Sequence, residues 1–251
     1  MARHDYGQFR VSVVATKGLF FGSLPFLAFG YATELFEMSS HILFSSRLVS
    51  FLTGVTLFLP AWWLSNQFAR KPWRFICTLE HEITHVIVGL PFLFIPLRMW
   101  VTASAGGHVK QSWIGPRWLS PVLYGPGRVL SGLAPYFLPT VSYLLIGSSL
   151  FLIQPQTQWF LFALGFATTF HIISTWAETE YRQPDIREAG IVFSTAFLPV
   201  ANLIALGGVF AFIAAGPTGF TRFWTDGFSQ SLTAIWTFQS WVPDALHASR
   251  F

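Results

Sequence analysis

The sequence predicts an all-α polytopic membrane protein of about six hydrophobic helices, with a small membrane-associated β-hairpin near residues 99–113. Three observations carry this reading. The chain has 251 residues, of which 53% are hydrophobic and 10% charged, whereas ordinary soluble domains carry roughly 25% charged residues. Fifteen basic and eleven acidic side chains cannot coat a water-exposed surface of this size, so the solvent around most of the chain is lipid. Long apolar stretches recur along the chain, and one short region between them has strand-like character instead.

The stretches fall at 18–36, 48–68, 75–97, 129–153, 158–177 and 190–215, each near or above the ~20 residues that cross ~30 Å of hydrocarbon. Pro25, Pro60, Pro91, Pro96, Pro139 and Pro199 interrupt several of them, and a broken helix in lipid needs cover from protein or water. Between 98 and 128, runs from Met99 to Ala103 and from His108 to Trp113 flank Gly106-Gly107 and lead into a Gly/Pro-rich stretch, which reads as a hairpin and a loop. The 220–243 segment mixes Trp and Phe with Thr, Ser, Gln and Asp and suits an interfacial amphipathic helix better than a seventh span. There is no internal repeat, so 1–251 reads as a single integral membrane domain.

The net charge of +4 does not imply nucleic acid, because the basic residues stand singly beside apolar segments, as membrane-flanking charges do. The single cysteine, Cys77, excludes an intrachain disulfide and a CxxC metal knuckle. It reads as a small buried apolar residue. The N-terminus contains Asp5 and lacks a short apolar core closed by a small-residue site, so no removable signal peptide is expected there. If the third stretch and the hairpin dip in and return to one side, twelve of the fifteen Lys and Arg share a face, leaving Arg47, Arg222 and Arg250 opposite. A full crossing by that stretch nearly abolishes the bias. The positive-inside rule therefore favours a re-entrant third stretch, with the basic face cytoplasmic.

The chemistry centres on His81-Glu82-Ile83-Thr84-His85, an HExxH pattern. Residues four apart share a helical face, so His81 and His85 can turn two imidazoles to one ion, with Glu82 beside them as a general base. Ionisable residues within a membrane are costly and functional by default. Catalytic zinc usually keeps three protein ligands, and the third can come from His171, Glu178 or Asp185. Counted at ~1.5 Å per residue along straight helices, His171 lies level with His81, whereas Asp185 requires the chain past Arg182 to turn inward at Pro184. As a structural alternative, Asp185 would cap the sixth stretch. His108 would face water or meet substrate, and Asn202 would brace the helix kinked at Pro199 or bond a substrate backbone in the cleft.

HEITH at 81–85, Gly106-Gly107-His108-Val109 and Gln183-Pro184-Asp185 together resemble the site-2 protease class of intramembrane zinc metalloproteases, over about 75–205. The tripeptide is similar to that family's Asn-Pro-Asp-Gly, whose aspartate is a zinc ligand. The resemblance implies a metalloprotease-like core in which His81, His85 and Asp185 bind Zn2+ near the cytoplasmic face and Glu82 is the base. His171 would then line the cleft, able to hydrogen-bond the substrate carbonyl or the oxyanion. Thr84, Gln183 and Ile186 depart from the family pattern. A weaker resemblance, to CAAX-processing zinc proteases, would make Glu178 the third ligand. The expected function is zinc-dependent hydrolysis of a peptide bond in a transmembrane or membrane-adjacent substrate. The rival from another class is a non-proteolytic subunit or transporter that binds an ion or partner with the same groups and has no need of a base at Glu82.

Overall fold

The computed structural model describes residues 3–42, 45–102, 106–151, 157–179 and 183–248. Its helices are α1 (Arg3–Ile42), α2 (Ser46–Phe68), α3 (Arg70–Gly89), α4 (Gly125–Leu133), α5 (Thr140–Ser148), α6 (Gln158–Glu178), α7 (Pro184–Ala189) and α8 (Ile191–Ala248), with strands β1 (Phe94–Thr102) and β2 (Gly106–Trp113) between α3 and α4. Hydroxyl caps start two of the long helices. Ser45 accepts from the Leu48 amide and Thr157 from the Phe160 amide, each at 3.2 Å, and so satisfies a donor that has no partner within its helix.

Among the described residues, four helical segments are long and apolar enough to cross a membrane: Phe9–Ser39, Ser46–Phe68, Gln158–Glu178 and Ile191–Trp241. The number rises to five if Arg117–Tyr136 and Thr140–Phe151, bent by 99°, form one broken span. This count differs from the expected six hydrophobic helices, and two of the expected stretches, 75–97 and 129–153, are broken. In the first, helix gives way to strand at Leu93, whose φ of 65° reverses the chain. In the second, the bend falls between Tyr136 and Thr140, around the Pro139 that the sequence marks as a break.

The 51-residue apolar segment 191–241 is far longer than a bilayer requires. It is interrupted at Ala215 and at Gly216, where φ reaches 66°. A straight helix would hold Gly207 and Phe223 about 24 Å apart. The Phe223 ring instead packs on Gly207, and Phe220 and Trp224 lie against Gly208, so the chain doubles back. The returning half, which contains the 220–243 segment, runs along α1: Tyr31 meets Phe223 and Trp224, and Phe26 meets Phe238.

The hairpin starts at Phe94, earlier than its sequence signal, and pairs antiparallel with Trp100 opposite His108 and Thr102 opposite Gly106. The two glycines thus lie within β2 rather than between the strands. Ala103, expected to end the first run, is outside the described residues. The hairpin folds back over α3, since Gln111 donates to the His85 carbonyl at 2.9 Å and Gly107 lies over Thr78 and Glu82. Trp113 reaches Phe9 near the start of α1, with ring centroids 5.6 Å apart. Both strands therefore sit at the end of the bundle that carries the start of α1 and the end of α6. Arg47 lies at the other end, donating to the Ala214 carbonyl at 2.9 Å.

Candidate metal centre

Helix α3 is inside out by the standards of a soluble protein. It buries Glu80, Glu82, Thr84 and His85 while Phe75 and Ile76 are exposed, a pattern that suits a polar face turned into protein and an apolar one turned to lipid. Thr84 is held by the Glu80 carbonyl at 2.8 Å and by the Thr140 hydroxyl at 2.6 Å. Cys77 is buried with Phe58 and Phe170, as a small apolar residue would be.

The i, i+4 spacing brings His81 and His85 together, with ring centroids 4.9 Å apart. Asp185, in the first turn of α7, completes a group whose ligand atoms all lie within 4.8 Å of one another. Its Oδ2 is 3.6 Å from His81 Nε2 and 3.5 Å from His85 Nε2. The helix cap there is Gln183, not Asp185. The other ring nitrogens are taken: His81 Nδ1 is 3.0 Å from Glu178 Oε2, and His85 Nδ1 is 2.6 Å from the Ser131 carbonyl. With Nδ1 engaged by these acceptors, both Nε2 atoms are the ones turned to Asp185, the arrangement in which outer carboxylates and carbonyls orient metal-binding imidazoles. Glu178 is thus placed to orient His81 and lies on the nitrogen turned away from the cluster.

His171 is not brought to this group. It is 2% exposed, and its Nδ1 lies 3.6 Å from Glu80 Oε1, on a part of α3 that the cleft does not reach. Counting depth along straight, parallel helices misleads here. It is Glu178, seven residues or about 10.5 Å farther along α6, that stands level with His81, so α3 does not follow the bundle axis as that estimate assumes.

The cluster opens on a cleft of about 1240 Å³ between α1, α3, β2, α4 and α7. Nearly all of β2 lines it, from Gly106 to Trp113, and Arg10, Lys17, Glu82, Arg128 and Glu188 contribute charges. His108 is exposed and lies on the cleft wall. Arg128 and Lys17 both bind Glu188, through its carboxylate and its backbone carbonyl respectively. Burial pushes the Glu82 carboxyl up from the ordinary carboxylate range, partly countered by His85 and His81. Burial alone would pull the His81 imidazole down. The carboxylates of Asp185 and Glu178 override it and hold it up at about 9. Asp185, which burial alone would raise, is held well below its usual range by the two imidazoles. Two imidazole nitrogens with one carboxylate oxygen are a donor set suited to zinc that leaves a fourth position open.

Sequence reasoning missed two members of the surroundings. Ser131 offers only a backbone carbonyl, which has no sequence signature. Tyr136, whose hydroxyl lies 3.4 Å from Asp185 Oδ2 and whose ring packs on His81 at 5.3 Å, did carry a signal, as an amphipathic residue between Pro135 and Pro139 in an otherwise apolar stretch. Asn202 braces, as expected, donating to the Tyr136 and Leu198 carbonyls at 3.0 Å each. No protein-family model, curated protein or solved structure matches the chain.

Proposed function

We propose that the protein is a multi-pass membrane zinc endopeptidase that cleaves a transmembrane or membrane-adjacent peptide close to the cytoplasmic face. The observation that carries the reading is the convergence of His81, His85 and Asp185, with both Nδ1 atoms engaged and Glu82 buried beside them at the wall of a wide cleft. His81, His85 and Asp185 would hold Zn2+, which when bound would supply Lewis acidity toward water and a carbonyl oxygen. Glu82 accepts the proton from the attacking water and returns it to the leaving amine, so its raised affinity for a proton serves both halves of the reaction. Asp185 and Glu178 offset the positive charge of the centre. A spanning helix hides its carbonyls in its own hydrogen bonds, so the substrate must unwind locally. Because β2 lines the cleft and β1 does so only at Phe94, the outer edge of β2 is available to hold the unwound segment as an added strand. Lipid and a membrane-embedded peptide are the partners of this reading, and nucleic acid has no place in it.

The test separates the base from the ligands. Glu82→Gln is expected to retain about one zinc per chain in detergent while cleavage of a membrane peptide falls by about 10²–10⁴-fold. His81→Ala is expected to lose both zinc and cleavage. An unsubstituted protein with no zinc above background would overturn the enzyme reading in favour of a non-proteolytic membrane subunit or transporter, and a fully active Glu82→Gln would remove Glu82 as the base.

A further inference from the structure

The bend between α4 and α5 leaves carbonyls without helical partners in the apolar part of the chain, where each must find a donor. Two neighbouring helices supply them. Thr175 of α6 donates to the Pro135 carbonyl at 3.2 Å, and Asn202 of α8 donates to the Tyr136 carbonyl at 3.0 Å. The second bond fixes the backbone of a residue that is itself 2% exposed. The Tyr136 ring stands edge-on to His81 at 86°, and its hydroxyl points to Asp185 Oδ2, the same oxygen that faces both histidines. Tyr136 does not line the cleft, so a peptide lying there would not touch it. Asp185 needs such support: it sits on the six-residue helix α7, next to the turn at Gly190, and its side chain is 30% exposed.

We infer that Tyr136 is the positioning residue of the third metal ligand, and that Asn202 sets Tyr136 from within the membrane. The hydroxyl donates to the Asp185 carboxylate and fixes which oxygen meets the two Nε2 atoms. The Asn202 amide holds the bend so that the hydroxyl arrives there. A polar group that sequence alone explains as a brace for α8 thereby acts on the metal centre through two hydrogen bonds. The inference rests on the zinc reading.

The test uses the full-length protein in detergent, with zinc affinity measured by chelator competition and the visible spectrum of the Co2+-loaded protein as a report on ligand geometry. Tyr136→Phe keeps the ring and the fold. It should weaken zinc by about 10–100-fold, the usual effect of removing a partner that orients a ligand, and alter the Co2+ spectrum. Asn202→Ala should do the same, and the double variant should be little worse than either single one, because both act through one hydroxyl. Thr175→Val removes the sister bond to the same bend and should leave affinity and spectrum unchanged. Unchanged affinity and spectrum in Tyr136→Phe would overturn the inference while leaving the zinc reading intact, and so would an equal loss in Thr175→Val, which would mean that the bend as a whole is what matters. No zinc in the unsubstituted protein would instead defeat the reading beneath it.

Discussion

Two clusters of buried charge lie at opposite ends of the molecule, and they are built differently. Near the break in α8, Glu34 is fully buried and receives Arg222 Nε at 3.4 Å and the Gln230 amide at 3.1 Å, while Asp226 holds the same guanidinium at 3.2 Å. The cavity beside it is only about 190 Å³. At the other end, Asp185 and Glu178 meet imidazoles rather than a permanent cation, and the cavity is about 1240 Å³. Arginine is never deprotonated, so the first cluster carries its counter-charge permanently. A histidine gives up its proton to a metal, so the second can exchange one cation for another. A carboxylate buried among apolar helices is thus no sufficient sign of a site. What distinguishes the two is whether the partner is removable and whether there is room beside it.

The largest test of this contrast is whether the ends face opposite sides of the membrane at all. Single cysteines at Lys110, Arg187 and Ser46, all exposed, in a Cys77→Ala background should divide two to one in their reaction with an impermeant thiol reagent. Positions 110 and 187 label from one side, and 46 from the other. Labelling of 110 from the side that labels 46 would mean that α3 and the hairpin cross the bilayer.

How much of this was legible in the sequence differs between the ends as well. HEITH brings two candidate ligands together by helical spacing alone, and the Gly106-Gly107 signal finds the hairpin, because both depend on neighbours within a few residues. Asp185 was one of three candidates in the residues alone and was preferred through Pro184 and the resemblance, since it approaches from a hundred residues away on a six-residue helix. His171 was misplaced because depth along an axis says nothing about how α3 is tilted. The reversal at Ala215 and Gly216 was half visible: 190–215 and 220–243 read as separate elements, but nothing local tells that the second returns along α1. Glu34 drew no notice, for its partner Arg222 stands far along the chain on that returning half.

The next test addresses the closed cluster. Arg222→Ala should destabilise the protein by about 1–3 kcal/mol, through the uncompensated Glu34 carboxylate, with the lower part of the range favoured because the Arg222 side chain is 58% exposed and so partly screened. Adding Glu34→Gln should recover much of the loss by removing the charge. Neither change should alter zinc content, and thermal unfolding with metal analysis reads both quantities. Loss of zinc from Arg222→Ala would show that the two ends are coupled and would break the contrast.

The smallest effect concerns how closely the open end is built. A Cβ at Gly107 would lie 2.7 Å from both Glu82 Cγ and Thr78 Cγ2, nearer than side chains tolerate, so β2 can pass over α3 at this point only without a side chain. Gly107→Ala must push the strand out or turn Glu82 away, and the atoms it meets belong to Glu82 and Thr78 rather than to His81, His85 or Asp185. Cleavage should fall by up to about 10²-fold, the scale of a 1 Å misplacement, with zinc retained. Gly106 is the internal control. Its φ of 79° strains any other residue but nothing among the described residues stands within 4 Å of its missing Cβ, so Gly106→Ala should cost about 1 kcal/mol of stability and, with the Glu82 contact left in place, lower cleavage per folded molecule less than Gly107→Ala does. If the two alanines affected cleavage equally, the contact between β2 and Glu82 would have no part in catalysis, and the hairpin would matter only as a strand edge.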